Sequence, residues 1–136
     1  MIRPIVKDPM FLAVPSEPAQ KSDCAVAMDL LDTLRAHLDG CVGMAANMIG
    51  VRKRIIAVHI GFTQMAMLNP KIVSRNGPFE TEEGCLSLEG VRSTKRYQVI
   101  EVEYQDLQMR RQKRSFSGFT AQIIQHEVDH CDGILI

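Results

Sequence analysis

Phe119-Thr120-Ala121-Gln122-Ile123-Ile124-Gln125-His126-Glu127-Val128-Asp129-His130-Cys131 contains an H-E-x-x-H motif from His126 to His130. Ser117-Gly118 before it and Gly133 after it are start and stop signals, which predict a helix from Phe119 to about Cys131. Ile123, Ile124 and Val128 make that helix substantially buried. Residues four apart share a helical face, so His126 and His130 can hold one metal ion between them. A buried pair of histidines needs partners, and a metal supplies them. Glu127 then sits where it can act as general base on a metal-bound water. Zinc proteases with this motif take a third ligand from well downstream. Only Cys131 to Ile136 follow here, so a third protein ligand is expected from upstream.

The upstream candidates are Cys24, Cys41, Cys85, His37, His59 and several carboxylates. Cys24 falls on a predicted helix and reads as a small core residue. His37, near the end of that helix, favours its dipole. His59 lies beside Ile60 on a predicted strand and reads as hydrogen-bonded or exposed. Cys85 is the favoured candidate, because Glu83-Gly84-Cys85 reads as a tight turn between strands that can aim a thiolate inward. A His2Cys set leaves one position for water, as catalytic sites require, whereas structural zinc usually has four protein ligands. A thiolate suits zinc and also ferrous iron. Asp129 reads as surface charge or as a contact behind a ligand. Cys131, about 100° round the helix from His130, reads as packing.

Working back along the chain, Ala27, Leu30, Leu31, Leu34 and Leu38 recur at helical spacing, which predicts a helix over about Ser22 to Leu38. Pro4, Pro15 and Pro18 make the segment before it extended or irregular. The stretch from Gly40 to Gly50 is rich in small residues and allows a close backbone approach. Ile55 to Ile60 predicts a buried strand ended by Gly61. Met65 to Leu68 predicts a short strand stopped by Asn69-Pro70, then Lys71 to Ser74 another, with a turn at Asn76-Gly77-Pro78. Ile100, Val102 and Tyr104 alternate with Glu101 and Glu103, the pattern of a half-buried strand over Val99 to Tyr104. Gln105 to Gln108 turns the chain into a partner strand ending near Phe116. The expected architecture is one α+β domain over residues 1–136, with mostly antiparallel sheets packed around the C-terminal motif helix.

Composition narrows the function. The chain has 136 residues, 46% hydrophobic and 24% charged, with 16 basic and 16 acidic residues and a formal net charge of +0. That balance gives no bulk electrostatic case for a nucleic-acid or membrane partner. Arg110, Arg111, Lys113 and Arg114 form a basic run that reads as a solvated strand or turn. No apolar stretch is long enough to span a bilayer, and the first residues lack the apolar core of a signal peptide. The expected location is the cytoplasm. Four irregularly spaced cysteines are then expected as thiols or ligands rather than disulfides.

Three segments, in order, carry a resemblance to a known family. They are Cys41-Val42-Gly43-Met44-Ala45-Ala46-Asn47-Met48, Glu83-Gly84-Cys85-Leu86-Ser87 and Gln125-His126-Glu127-Val128-Asp129-His130. Together they resemble the peptide deformylases, marked by G-x-G-x-A-A-x-Q, E-G-C-L-S and Q-H-E-x-D-H. The resemblance implies the deformylase fold, with Cys85, His126 and His130 as ligands of one divalent metal. Ferrous iron is the implied metal in the cell, with zinc, nickel or cobalt as substitutes in a purified sample. The implied reaction removes the formyl group from the N-terminal formylmethionine of nascent polypeptides. Glu127 takes and returns the proton, and the Leu86 backbone N–H helps hold the oxyanion. The implied partner is the N-formylmethionyl peptide or nascent chain, with transient ribosome proximity and no direct nucleic-acid or membrane contact.

Met48 stands where the family has glutamine, and a thioether cannot donate a hydrogen bond. Losing one oxyanion donor typically costs about 10²–10³ in rate. Cys41 replaces the first glycine of that motif, and Glu89 stands where proline is usual. The alternative reading is therefore a divergent homologue: weak activity, another N-acyl substrate, or a metal-binding role without catalysis. For the substrate pocket, Phe119, Gln122 and Ile123 share a helical face with His126, Gly43 and Met44 offer backbone to the peptide, and Met48 lies close by. Arg92 reads equally as a family arginine or as surface charge.

Overall fold

Ile55-Ile56-Ala57-Val58 is apolar without interruption, and such a strand needs cover on both faces. In the computed structural model, which describes residues 1–136, it has both. This strand, β2 (Ile55–Ile60), lies second in a five-stranded sheet ordered β1-β2-β3-β4-β5. The others are β1 (Gly43–Ala45), β3 (Thr63–Cys85), β4 (Leu88–Gln105) and β5 (Arg111–Ser117), and every pairing is antiparallel. Alternate side chains point to opposite faces. Ile55 and Ala57 join Leu30, Leu34 and Leu68 in the core beneath helix α2 (Cys24–Ala36), while Ile56 and Val58 join Met67, Ile100 and Ile124 beneath helix α3 (Gly118–Cys131). The fold is α+β as expected, with one sheet rather than several.

The helices match the periodicity that predicts them. Ala27, Leu30, Leu31 and Leu34 are the buried face of α2. That helix starts at Cys24 because Lys21–Asp23 form a 3-10 turn, with the Asp23 carboxylate accepting from the Gln20 N–H at 2.8 Å. Helix α3 ends before Gly133, where φ is +76° and an added Cβ would lie 2.6 Å from the Ala13 carbonyl oxygen. Only glycine fits both constraints. The entry segment is not wholly irregular: Pro9–Leu12 form a short helix, α1, capped by the Asp8 carboxylate accepting from the Met10 N–H at 3.0 Å.

The largest departure from the sequence reading is the central hairpin. Neither Asn69-Pro70 nor Asn76-Gly77-Pro78 interrupts β3. At Asn69 the register with β4 slips between Leu68↔Gln105 and Lys71↔Glu103, and Asn69 adopts φ +53°. A bulge there leaves Asn69 and Pro70 outside the paired register, where a missing N–H is tolerated. Asn69 also stitches the entry segment to the sheet: its Oδ1 accepts from the Ala19 N–H at 2.7 Å, and its Nδ2 donates to the Ala19 carbonyl at 2.9 Å. At Pro78 β3 has β4 as its only neighbour, since β2 pairs only as far as Leu68, so a missing N–H is tolerated. β4 likewise starts at Leu88 rather than near Val99. The reversal falls at Leu86-Ser87, with Cys85 paired to Leu88, so Glu83-Gly84-Cys85 end a strand rather than form the turn. The basic run Arg110 to Arg114 is a solvated strand edge, with Lys113 3.2 Å from Glu101.

Candidate active site

The hairpin tip and α3 meet beside β1. Cys85 comes from the end of β3, and His126 and His130 come from successive turns of α3. The two Nε2 atoms face each other at 3.0 Å, and Cys85 Sγ lies 3.4 Å from His130 Nε2. All three donor atoms lie within 4.8 Å of one another. The His130 Nδ1 and Glu127 Oε1 atoms are buried without a hydrogen-bond partner. A thiol and two imidazoles converging on one point suit a divalent metal better than any hydrogen-bonding scheme among themselves.

The electrostatics follow from burial and pairing. Burial alone would raise Glu83, but hydrogen bonds from His126, Arg96 and Gln122 hold it down at about 2. The ionised Glu83 accepts from His126 Nδ1 at 2.8 Å, which leaves His126 Nε2 facing the other donors. His126 is pushed up: burial lowers it, yet hydrogen bonds to Cys85 and Glu83 and the charge of Glu127 outweigh that. His130 is pushed down by burial and by the charge of His126. The two shifts run in opposite directions, so the facing pair favours one protonated and one neutral imidazole, and a metal held there would compete with that proton. Burial raises the Glu127 carboxyl to about 7, in the range of a general base at neutral pH.

A cleft of about 610 Å³ opens onto this centre. Gly43, Met48, Leu86, Phe119, Ile123 and Glu127 all lie on its wall. Phe119 is exposed at the rim and takes no part in the core, whereas Ile123 is buried in the core as well. Gly43 is tightly placed: a Cβ there would lie 2.7 Å from Ile123 Cγ2 and 2.9 Å from Glu127 Oε2. Met44 is expected to offer its backbone, not its side chain, to the peptide. Its side chain is wholly buried in the α2 core, and it is not part of the cleft wall.

Met48 is buried against the cleft, and its sulfur accepts from the Ala45 N–H at 3.4 Å. Asn47 turns the other way and donates to the His130 carbonyl at 3.0 Å, so it does not stand in for the missing glutamine. Cys41 borders the cleft with its thiol on the Gly43 carbonyl at 2.9 Å, and burial raises it to about 11. The remaining candidates lie elsewhere. His59 bonds Gln64 at 2.8 Å, His37 bonds the Thr33 carbonyl at 2.8 Å, and Cys24 reaches the Leu107 carbonyl at 3.4 Å. Arg92 donates to the Glu89 carbonyl at 3.3 Å, away from the three donor atoms.

Sequence reasoning gave no role to Glu83 or Arg96, and it placed Gln122 in the substrate pocket. Gln122 lines the cleft, but its amide donates to Glu83 at 2.8 Å. Arg96 is buried, bonded to Glu83 and, at 2.7 Å, to Asp129. The signal was present: Arg96 shares the parity of Ile100, Val102 and Tyr104, the inward face of β4.

A Cys-His-His donor set beside a buried carboxyl, at the floor of an open cleft, defines a mononuclear metallohydrolase. The polypeptide deformylase family model matches residues 2–136, and the chain belongs to that family. It is 57% identical over 136 residues to a peptide deformylase of Clostridium beijerinckii, covering 100% of both chains. The crystal structure of peptide deformylase from Thermotoga maritima superposes with a TM-score of 0.88 at 29% identity, covering 99% of this chain and 95% of that one. A class I type b peptide deformylase from Acinetobacter baumannii with Met-Ala-Ser bound gives 0.87 at 30% identity, covering 99% and 97%.

Proposed function

We propose that this chain hydrolyses the formyl amide of N-terminal formylmethionine on newly made polypeptides, releasing formate and a free amine. The observation that carries this reading is the convergence of Cys85, His126 and His130 beside Glu127, at the floor of a cleft in a chain of this family. Cys85 Sγ and the Nε2 atoms of His126 and His130 are the atoms that would hold one divalent metal. When bound, the metal supplies Lewis acidity, which acidifies water and polarises a carbonyl. Ferrous iron is our assignment for the cell, and the donor set also accepts zinc, nickel or cobalt.

The chain's own residues do the rest. Glu83 fixes the tautomer of His126. Glu127 takes a proton from the attacking water at neutral pH and returns it to the departing nitrogen. The Leu86 backbone N–H, at the hairpin tip, is assigned to the developing oxyanion. Gly43 offers the open edge of β1 to the peptide backbone, and Phe119, Ile123 and Met48 flank the methionine side chain. With nascent chains as substrate, we place the protein in the cytoplasm, with transient proximity to the ribosome and no direct contact with nucleic acid. No helix is long and apolar enough to cross a membrane.

Met48 favours a second reading, in which the site is a slow deformylase or acts on another N-acyl group, since its sulfur accepts a hydrogen bond and cannot donate one. The test is deformylation of a short formyl-Met peptide by protein purified without oxygen and loaded with ferrous iron. Turnover that falls at least about 10²-fold in Glu127→Ala is the expected result. No turnover from folded, metal-replete protein would overturn the proposal. A large gain in Met48→Gln would favour the second reading.

A further inference from the structure

We propose that Arg96 is a positioning residue for the metal centre: it ties the hairpin that carries Cys85 to the helix that carries His126 and His130. The inference rests on the ligand assignment made above.

The three donors come from two elements that the sheet does not hold together. β2 pairs with β3 only as far as Leu68, and β5 pairs with β4 only from Val99. Beyond those points the β3–β4 hairpin is a two-stranded ribbon, and such a ribbon has little stability alone. Cys85 sits at its far end. The spacing between Cys85 and the two histidines therefore depends on side chains that link the ribbon to α3.

Arg96 makes that link with both ends of its guanidinium. Its Nε and Nη2 donate to Glu83 at 3.0 Å and 2.7 Å, and its Nη1 donates to Asp129 at 2.7 Å. Glu83 is on the ribbon, two residues before Cys85, and itself holds His126. Asp129 is on α3, beside His130. One planar cation thus sets the angle between two carboxylates, each adjacent to a ligand on a different element. Lysine, a point charge on a flexible stem, cannot do this. Gln122 supports the same carboxylate from α3, and Gln125 pairs with the Tyr97 backbone at 2.9 Å in both directions, but neither brings a second carboxylate into the link as Arg96 does. The arginine side chain is only 4% exposed, so its ion pairs are desolvated rather than screened as surface contacts are.

The test measures zinc affinity by competition with a chromophoric chelator, and the thiolate-to-metal absorption band of the cobalt form. It compares wild type, Arg96→Lys, Asp129→Asn and Cys85→Ser. Arg96→Lys is expected to weaken zinc about 10–100-fold and to shift the cobalt band, with the metal-free far-UV spectrum unchanged. Asp129→Asn should move both readouts the same way by less. At saturating metal, kcat should fall more than KM rises. Wild-type affinity and an unshifted band in folded Arg96→Lys would overturn the proposal. If Arg96→Lys does not fold, Asp129→Asn decides alone, since Asp129 is partly exposed and tolerates the change. Cys85→Ser separates the two readings: a band that survives there would sink the ligand assignment itself, not only the role of Arg96.

Discussion

Glu127 is buried on the cleft wall, and that burial is what makes it a useful base. Its carboxyl titrates at about 7 in the folded, metal-free protein and at about 4.3 in the unfolded chain. The folded state therefore binds the proton more tightly. Its contribution is fully present below about pH 4 and is lost as the pH rises through about 7. Metal-free Glu127→Gln should be more stable than wild type at pH 8, by roughly 1–3 kcal/mol, and no more stable at pH 4. Urea denaturation at the two pH values checks this, and an equal difference at both would show that burial does not control the carboxyl. His126, Glu127 and His130 were legible as a unit because their chemistry is local to one helix. Cys85 was legible from its motif. Arg96 had only its inward parity on β4 to mark it, and a lone arginine at such a position takes on a role only when its two carboxylates are seen around it.

Between elements, the approach of β1 to α3 depends on one missing methyl group. Gly43→Ala places a carbon 2.7 Å from Ile123 Cγ2 and 2.9 Å from Glu127 Oε2, closer than real contacts allow. The variant should fold, lose about 1–3 kcal/mol through overpacking, and lose at least about 10-fold in kcat because the base is displaced. Adding Ile123→Ala should restore part of the stability. Thermal melts and steady-state kinetics on the single and double variants check this, and wild-type kcat in Gly43→Ala would show that the strand moves away freely. Helices α2 and α3 were readable because each carries its own helical periodicity, and β2 because its apolar run is unbroken. The hairpin was not, because Asn69-Pro70 and Asn76-Gly77-Pro78 carry strong local turn chemistry that cross-strand pairing overrides.

In the whole molecule, α3 closes one face of the sheet while carrying the site, so stability and function share one interface. Cys131 reports on that closure. It is buried, and burial pushes its thiol up to about 12. Burial and the raised thiol act together, so at pH 8 iodoacetamide should leave Cys131 unmodified in the native protein and label it once urea unfolds the chain. Peptide mass spectrometry reads both states, and native labelling of Cys131 would mean that α3 opens on its own. The helix periods, the buried second strand, the motif pair and the family are all written in the order of the residues, because these depend on neighbours within a few turns or on ordered motifs. Tertiary structure alone decided how far the hairpin runs, that Met44 belongs to the core, and that Glu83, Arg96 and Asp129 join two elements. Those outcomes depend on long-range pairing and on charges that meet only when the ribbon lies against the helix.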